Sequence, residues 1–205
     1  DMRSRLGIFG GMFDPVHNGH VCAARFAMET LDLDAIKVIP CNLPNHEKVL
    51  SASALDRMAM LELALTGEPS MEIDDCEILR GGISYTTETV RKFAEAGIWK
   101  HRIFVMGMDA FNQFSSWHEW QTILKIAHLW VAHRPGNRLP EDDTTEHQLL
   151  QQLQSPADAL KHCPSGKIHV HETTALDISA TKLRQQIAEG ITPRFLLPDA
   201  IWAYI

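Results

Sequence analysis

Leu6-Gly7-Ile8-Phe9-Gly10-Gly11-Met12-Phe13-Asp14-Pro15-Val16-His17-Asn18-Gly19-His20 decides how this chain is read. The apolar run Leu6 to Phe9 reads as a buried strand. Gly10 and Gly11 remove side chains where that strand ends and let a backbone come close to a ligand. Asp14-Pro15 is a turn signal. A helix then begins near His17 to Gly19 and runs to Thr30, with Val21, Ala24, Phe26 and Met28 on or near its apolar side. Its free N–H groups and the positive end of its dipole make an anion site. His17 and His20 are three apart, a spacing that puts both on one helix face. An anion beside them favours the imidazolium form, and two such donors stabilise charge on a phosphate as it is attacked. The stretch matches neither the Gly-x-Gly-x-x-Gly fingerprint nor a Gly-x-x-x-x-Gly-Lys-Ser/Thr loop.

Outward from this turn, strands and helices alternate. Ala35 to Pro40 is a second strand, and Cys41 to Ser53 a polar loop. Ser53 caps a helix from Ala54 to about Leu65. Met71 to Asp74 is a short strand. A helix follows Thr86 or Thr87, passes through Val90 to Ala96 and stops at Gly97. Arg102 to Met106 is a strand broken by Gly107. Short helical pieces cover Ala110 to Phe114 and Glu119 to Ile126. Leu129 to Ala132 is a strand ended by Arg134-Pro135-Gly136. Residues 137–165 are the least regular, with an amphipathic helix near Glu146 to Leu153. Lys167 to His171 is a late strand, Ser179 starts a helix to Glu189, and a last short helix begins at Pro198. This alternation predicts an α/β fold with a Rossmann-like, doubly wound parallel sheet. The irregular segment is an excursion within one domain, 1–205, because a strand and a helix follow it.

With 205 residues, 45% of them hydrophobic, the chain is long enough to bury a core. No apolar run approaches the ~18 residues that span a bilayer, and the N-terminus does not read as a signal peptide; the cytoplasm is the expected location. A formal net charge of -7 argues against a nucleic-acid partner. It does not exclude a small phosphorylated ligand held in a local pocket. Cys22, Cys41, Cys76 and Cys163 form no Cys-x-x-Cys pair and read as reduced thiols. His169 and His171 alternate along a strand without a third ligand nearby in sequence, so no protein metal site is expected.

A second anion element lies near the other end of the chain. In Ile178-Ser179-Ala180-Thr181-Lys182-Leu183-Arg184, Ser179 caps a helix. Its hydroxyl and the following N–H groups form an anion site, and Arg184 reaches back as a fixed guanidinium.

The first stretch resembles the nucleotidyltransferase superfamily built around His-x-Gly-His, and Ile178 to Arg184 resembles that family's Ile-Ser-x-Thr-x-x-Arg motif. The resemblance implies adenylyl or cytidylyl transfer. His17 and His20 would be the catalytic pair, and Gly10, Gly11, Met12, Phe13, Ser179, Thr181 and Arg184 would hold ATP phosphates within a C-terminal phosphate-binding helix over 179–189. Met12 stands where relatives carry a small hydroxyl residue. Over nearly the whole chain the resemblance is to one branch, the bacterial nicotinate mononucleotide adenylyltransferases. Asn42-Leu43-Pro44-Asn45-His46-Glu47-Lys48 resembles a loop where relatives carry Pro-Pro-His-Lys or Pro-Pro-His-Arg; Asn45 replaces a proline, and the basic Lys48 comes one place later. Ser84-Tyr85-Thr86 resembles the segment whose backbone donors read the nicotinate carboxylate. Gly107-Met108-Asp109 resembles the strand end that meets adenosine. Trp117 matches the tryptophan that stacks on the pyridine ring, and Trp120 is the better core candidate. Arg134 resembles the arginine that meets the acceptor's phosphate.

The implied reaction joins ATP and nicotinate mononucleotide into nicotinate adenine dinucleotide and pyrophosphate, in NAD biosynthesis. Mg²⁺ would arrive with ATP. The alternative is an adenylyltransferase for another acceptor, such as phosphopantetheine or nicotinamide mononucleotide. A homo-oligomer is compatible with the sequence, which does not decide it.

Overall fold

The computed structural model describes residues 3–44, 49–173, 184–185 and 187–189. The chain opens with β1 (Arg3–Gly11), α1 (Asn18–Leu31), β2 (Ala35–Pro40), α2 (Ala54–Ala64) and β3 (Met71–Ile73). Next come α3 (Cys76–Arg80), α4 (Thr86–Glu95), β4 (Trp99–Gly107), α5 (Met108–Phe111), a 3-10 turn (Phe114–Ser116) and α6 (Trp120–Ile126). β5 (His128–His133), α7 (Thr145–Leu153), α8 (Ala157–Lys161) and β6 (Ile168–Glu172) complete the described elements.

Among the described residues the sheet has six strands in the order β3-β2-β1-β4-β5-β6, and every pairing is parallel. This is the predicted doubly wound sheet. Its order reverses between β1 and β4, the place where such sheets leave a crevice beyond the carboxyl ends of their strands. The central strands are buried on both faces, as their apolar runs require. One core cluster packs β1 and β2 residues against Val21, Ala24, Ala27 and Leu31 of α1 and Met60 and Leu61 of α2. The other packs Leu6, Ile8, Phe104 and Met106 against α4, α5 and α6.

Several boundaries move from the sequence reading. β1 runs on through both glycines: Gly11 pairs with Pro40, and the Gly11 carbonyl accepts from the Cys41 N–H at 2.9 Å. β4 begins at Trp99, because its polar start pairs with the equally polar start of β1. α3 and α8 are five residues each, too short to show a period. α5 ends at Phe111, and a 3-10 turn takes over at Phe114. α7 matches the expected excursion helix. Thr144 caps it by accepting from the His147 N–H, and buried Glu146 ties it back by accepting from the Ser115 N–H at 2.7 Å. Ser53 caps α2 as expected, accepting from the Asp56 N–H. All four cysteines are free. No helix among the described residues is long and apolar enough to cross a membrane.

Candidate active site

A cavity of about 470 Å³ opens where β1 and β4 end, within the usual range for a small-molecule site. Gly10, Gly11, Met12, Phe13, His17 and His20 line it on the side of the first turn. Tyr85, Thr86, Gly107, Asp109, Trp117 and Arg134 line the rest. Twelve positions picked from the sequence thus meet in one cavity. Lys48, Ser179 and Thr181 lie outside the described residues, as does most of the helix expected over 179–189.

His17 is not on the helix face that its spacing predicts. It is the residue before α1, with extended backbone at φ -139° and ψ 173°. The two imidazoles meet by stacking instead, with centroids 3.7 Å apart and planes at 22°. The His17 N–H donates to His20 Nδ1 at 3.1 Å, so one of the free N–H groups of the helix start is satisfied by a side chain three residues on. That bond makes His20 Nδ1 an acceptor, which leaves the proton on Nε2. Among the described residues His17 Nδ1 has no hydrogen-bond partner, and it is buried.

The expected imidazolium pair is not the state of the ligand-free pocket. Burial lowers the His17 pKa to about 4, with the nearby Arg134 charge adding to the effect. Burial also holds His20 well below its ordinary value, followed by His17 and Arg134. Both rings are therefore neutral at pH 7, and an arriving phosphate would supply the charge that pulls them back toward protonation.

Phe13 carries the turn's strain. Its φ is 46°, a left-handed conformation unusual for a bulky residue, at a cost of about 1–3 kcal/mol. Packing offsets this: the ring is buried against Phe9 at 5.4 Å and stands edge-on to His20 at 5.0 Å. A Cβ at Gly10 would make only ordinary contact with Phe104, and one at Gly11 would sit 3.3 Å from the Phe13 ring. The first glycine is thus spared for the cavity rather than for the protein's own packing.

Tyr85 precedes α4 with extended backbone, and Ser84, Tyr85 and Thr86 at that helix start line the cavity. Thr87 fixes this helix start to the neighbouring loop by donating its hydroxyl to the His118 carbonyl at 2.7 Å. Trp117 packs edge-on against Phe104 and Phe114, at 5.9 and 5.3 Å, and keeps part of its surface on the cavity. Trp120 also packs on Phe114 and does not line the cavity, but it is only partly buried, as Trp117 is; among the described residues the tryptophans of the core are Trp99 and Trp130. Asp109 sits in the first turn of α5, exposed beside Gly107.

Three functional supports escaped the sequence reading. Arg57 is fully buried, and its Nη1 donates to the Met12 carbonyl at 2.9 Å; its place on the Arg57-Met60-Leu61 stripe of α2 was a readable signal. Asp14 is more than a turn residue. Its buried carboxylate accepts from the Ser51 and Ala52 N–H groups at 2.6 and 3.0 Å. Arg184 lies 3.7 Å from that carboxylate and donates to the Asp14 carbonyl, so the second motif's arginine reaches the first motif's turn. Glu77, buried in the cavity wall, accepts from the Thr89 hydroxyl at 2.6 Å. Burial pushes its carboxyl up, against the pull of Thr89, Arg80 and Ser84.

A crevice at the strand-order reversal, a glycine turn with paired imidazoles at a helix start, and a second helix start lining the same cavity make this the candidate active site. Comparison with known proteins agrees. The model of the cytidylyltransferase-like family matches residues 8–186. A probable nicotinate-nucleotide adenylyltransferase of Cellvibrio japonicus is 40% identical over 205 residues, covering 100% of this chain and 97% of that protein. One of Marinobacter nauticus is 38% identical over 195 residues, covering 95% and 90%. The chain belongs to the cytidylyltransferase-like family and, within it, to the nicotinate-nucleotide adenylyltransferases. Its fold is also that of the Plasmodium falciparum nicotinic acid mononucleotide adenylyltransferase complexed with NaAD, with a TM-score of 0.77, 15% identity, and coverage of 99% of this chain and 95% of that one.

Proposed function

We propose that the protein transfers the adenylyl group of ATP, taken up as its magnesium complex, to nicotinate mononucleotide in NAD biosynthesis. A phosphate oxygen of the acceptor attacks the α-phosphorus of ATP. The bond from the α-phosphorus to the bridging oxygen breaks, and pyrophosphate leaves with that electron pair. Nicotinate adenine dinucleotide is the product. The nucleophile is already an anion, so no general base is required. The protein contributes position and charge stabilisation.

The observation that carries this reading is one cavity with two unlike ends. At one end, His20 Nε2–H and the start of α1 face the place for the α-phosphate. At the other, the start of α4 offers N–H donors to a carboxylate, and Trp117 offers an aromatic face to a flat ring. Arg134 lines the same cavity, close enough to the imidazoles for its charge to act on both. It suits the acceptor's phosphate. Gly107 and Asp109 suit the adenosine, Asp109 through ribose hydroxyls. Arg184, with Ser179 and Thr181, suits the outer phosphates, and Lys48 the acceptor loop. Among the described residues no group of three or more His, Cys, Asp or Glu could hold a metal ion. Two neutral imidazoles and a guanidinium suit phosphate oxygens, so Mg²⁺ is assigned to ATP and water. We place the activity in the cytoplasm, where ATP is made available.

The test is pyrophosphate release with ATP and each acceptor in turn: nicotinate mononucleotide, nicotinamide mononucleotide and phosphopantetheine. The first is expected to give the highest kcat/KM. Faster turnover with either of the others would overturn the acceptor assignment.

A further inference from the structure

His133, the last residue of β5, has acceptors on both ring nitrogens. Nδ1 lies 2.8 Å from each carboxylate oxygen of Glu172, at the end of β6. Nε2 lies 3.0 Å from the Asn137 carbonyl. A carboxylate and a carbonyl can only accept, whereas a neutral imidazole has one proton to give. Both contacts are hydrogen bonds only when the ring carries two protons.

The ring's partners bracket Arg134. The Asn137 N–H donates to the Arg134 carbonyl at 3.1 Å, closing the turn Arg134-Pro135-Gly136-Asn137, in which proline precedes a glycine at φ 87°. On the other side, the Thr173 N–H donates to the His133 carbonyl at 2.8 Å. Arg134, Asn137 and Thr173 all line the cavity. From these contacts we infer that His133 is a positioning residue: as an imidazolium it ties the turn that carries Arg134 to the end of β6, and so sets Arg134 against the acceptor's phosphate. The placing of that phosphate rests on the function proposed above.

The charged surroundings agree. The ring is only 12% exposed. Burial lowers its pKa, but the bonds to Glu172 and Asn137 outweigh this and leave it above the ordinary value of 6.5. Among the described residues, Glu172 on β6 is the charged group facing the ring. Arg134 follows it in the chain, and Arg138 pairs with Glu141 beyond the turn. The tie is complete below the His133 pKa. It loses one hydrogen bond as pH rises through it.

Two measurements test this. Imidazole chemical shifts of the ligand-free protein, followed by NMR against pH, should place the His133 pKa above 6.5, and Glu172→Gln should lower it. Glu172 is 71% exposed, so that variant keeps its core. In steady state, the KM for nicotinate mononucleotide should rise about three- to tenfold as pH passes the His133 pKa, with the ATP KM and kcat changing less than about twofold. Glu172→Gln should move that rise to lower pH, and His133→Gln should abolish it. An NMR pKa at or below 6.5, unmoved by Glu172→Gln, overturns the imidazolium tie whatever the acceptor is. A normal NMR result with the same KM profile in all three proteins overturns its link to Arg134. Failure of the acceptor assignment would show instead as no turnover with nicotinate mononucleotide.

Discussion

At the scale of single residues, the site is built on two histidines that burial keeps uncharged. For His20, the neutral tautomer with its proton on Nε2 is a preorganised donor, and donors aimed at developing charge contribute about 3–4 kcal/mol each. His20→Ala is therefore expected to lower kcat about 10²- to 10³-fold while changing ATP affinity far less. Single-turnover kinetics beside equilibrium ATP binding would check this, and full activity in the variant would remove His20 from catalysis. His17 bears on stability. Its folded pKa is about 4 against 6.5 unfolded, so the unfolded chain takes up a proton first on acidification. Neutral His17 costs nothing above pH 6.5; stability is lost as pH falls from 6.5 to 4, by about 3 kcal/mol in all, and the loss then levels off. His17→Asn should flatten that part of a Tm-against-pH curve. The identity and nearness of both histidines were legible from spacing, but their geometry was not. A three-residue interval says nothing about one ring sitting before the helix and bonding back to it, nor about how dry the place is. The partners of Glu77, Asp14 and Arg57 were illegible for a related reason, although the stripe on α2 marked Arg57 itself as inward-facing. These partners are set by folding, with the Thr89 hydroxyl twelve residues from Glu77 and the Met12 carbonyl forty-five from Arg57.

At the scale of elements, β1 and α1 were readable because a buried strand, a glycine pair and an amphipathic helix follow one another directly. β4 was readable only from Arg102 onward, since Lys100 and His101 conceal a start that pairing with Arg3 and Arg5 reveals. Gly7 shows what such pairing demands. A Cβ there would lie 2.8 Å from both Ile36 Cγ1 and Leu33 Cδ1. Gly7→Ala should force β1 away from β2 and cost about 1–3 kcal/mol, read as a lower denaturation midpoint with an unchanged m-value. Unchanged stability would mean that the β1–β2 packing is looser than these distances. At the cap of α2, Ser53→Ala removes the acceptor for the Asp56 N–H, and should cost about 1 kcal/mol in the same experiment.

At the scale of the whole molecule, the site depends on segments distant in sequence. Arg184 meets Asp14 across 170 positions, and Trp117 joins Tyr85 and Thr86 at the far end of the cavity. The alternation of strands and helices was enough to predict where such segments converge, because a doubly wound sheet gathers its loops at one edge. Trp117→Ala should raise the KM for nicotinate mononucleotide about tenfold or more and leave that for ATP nearly unchanged, the loss of a stacked aromatic face being local. Equal weakening of both substrates would place Trp117 in the frame of the site rather than against the acceptor.

The two ends of the cavity differ in how they are anchored. The histidine end grows out of α1, whose inner face of Val21, Ala24, Ala27 and Leu31 is part of the core. The far end is carried by the segment between two short helices and by a partly exposed tryptophan. Mutational drift therefore meets very different resistance at the two ends. Changes around His17 and His20 are expected to disturb folding as well as chemistry, because they sit at the start of a helix that is part of the core. Residues 84–86 and 117 meet the sheet by fewer contacts, Trp117 through Phe104, so changes there are expected to cost less stability than changes around the histidines.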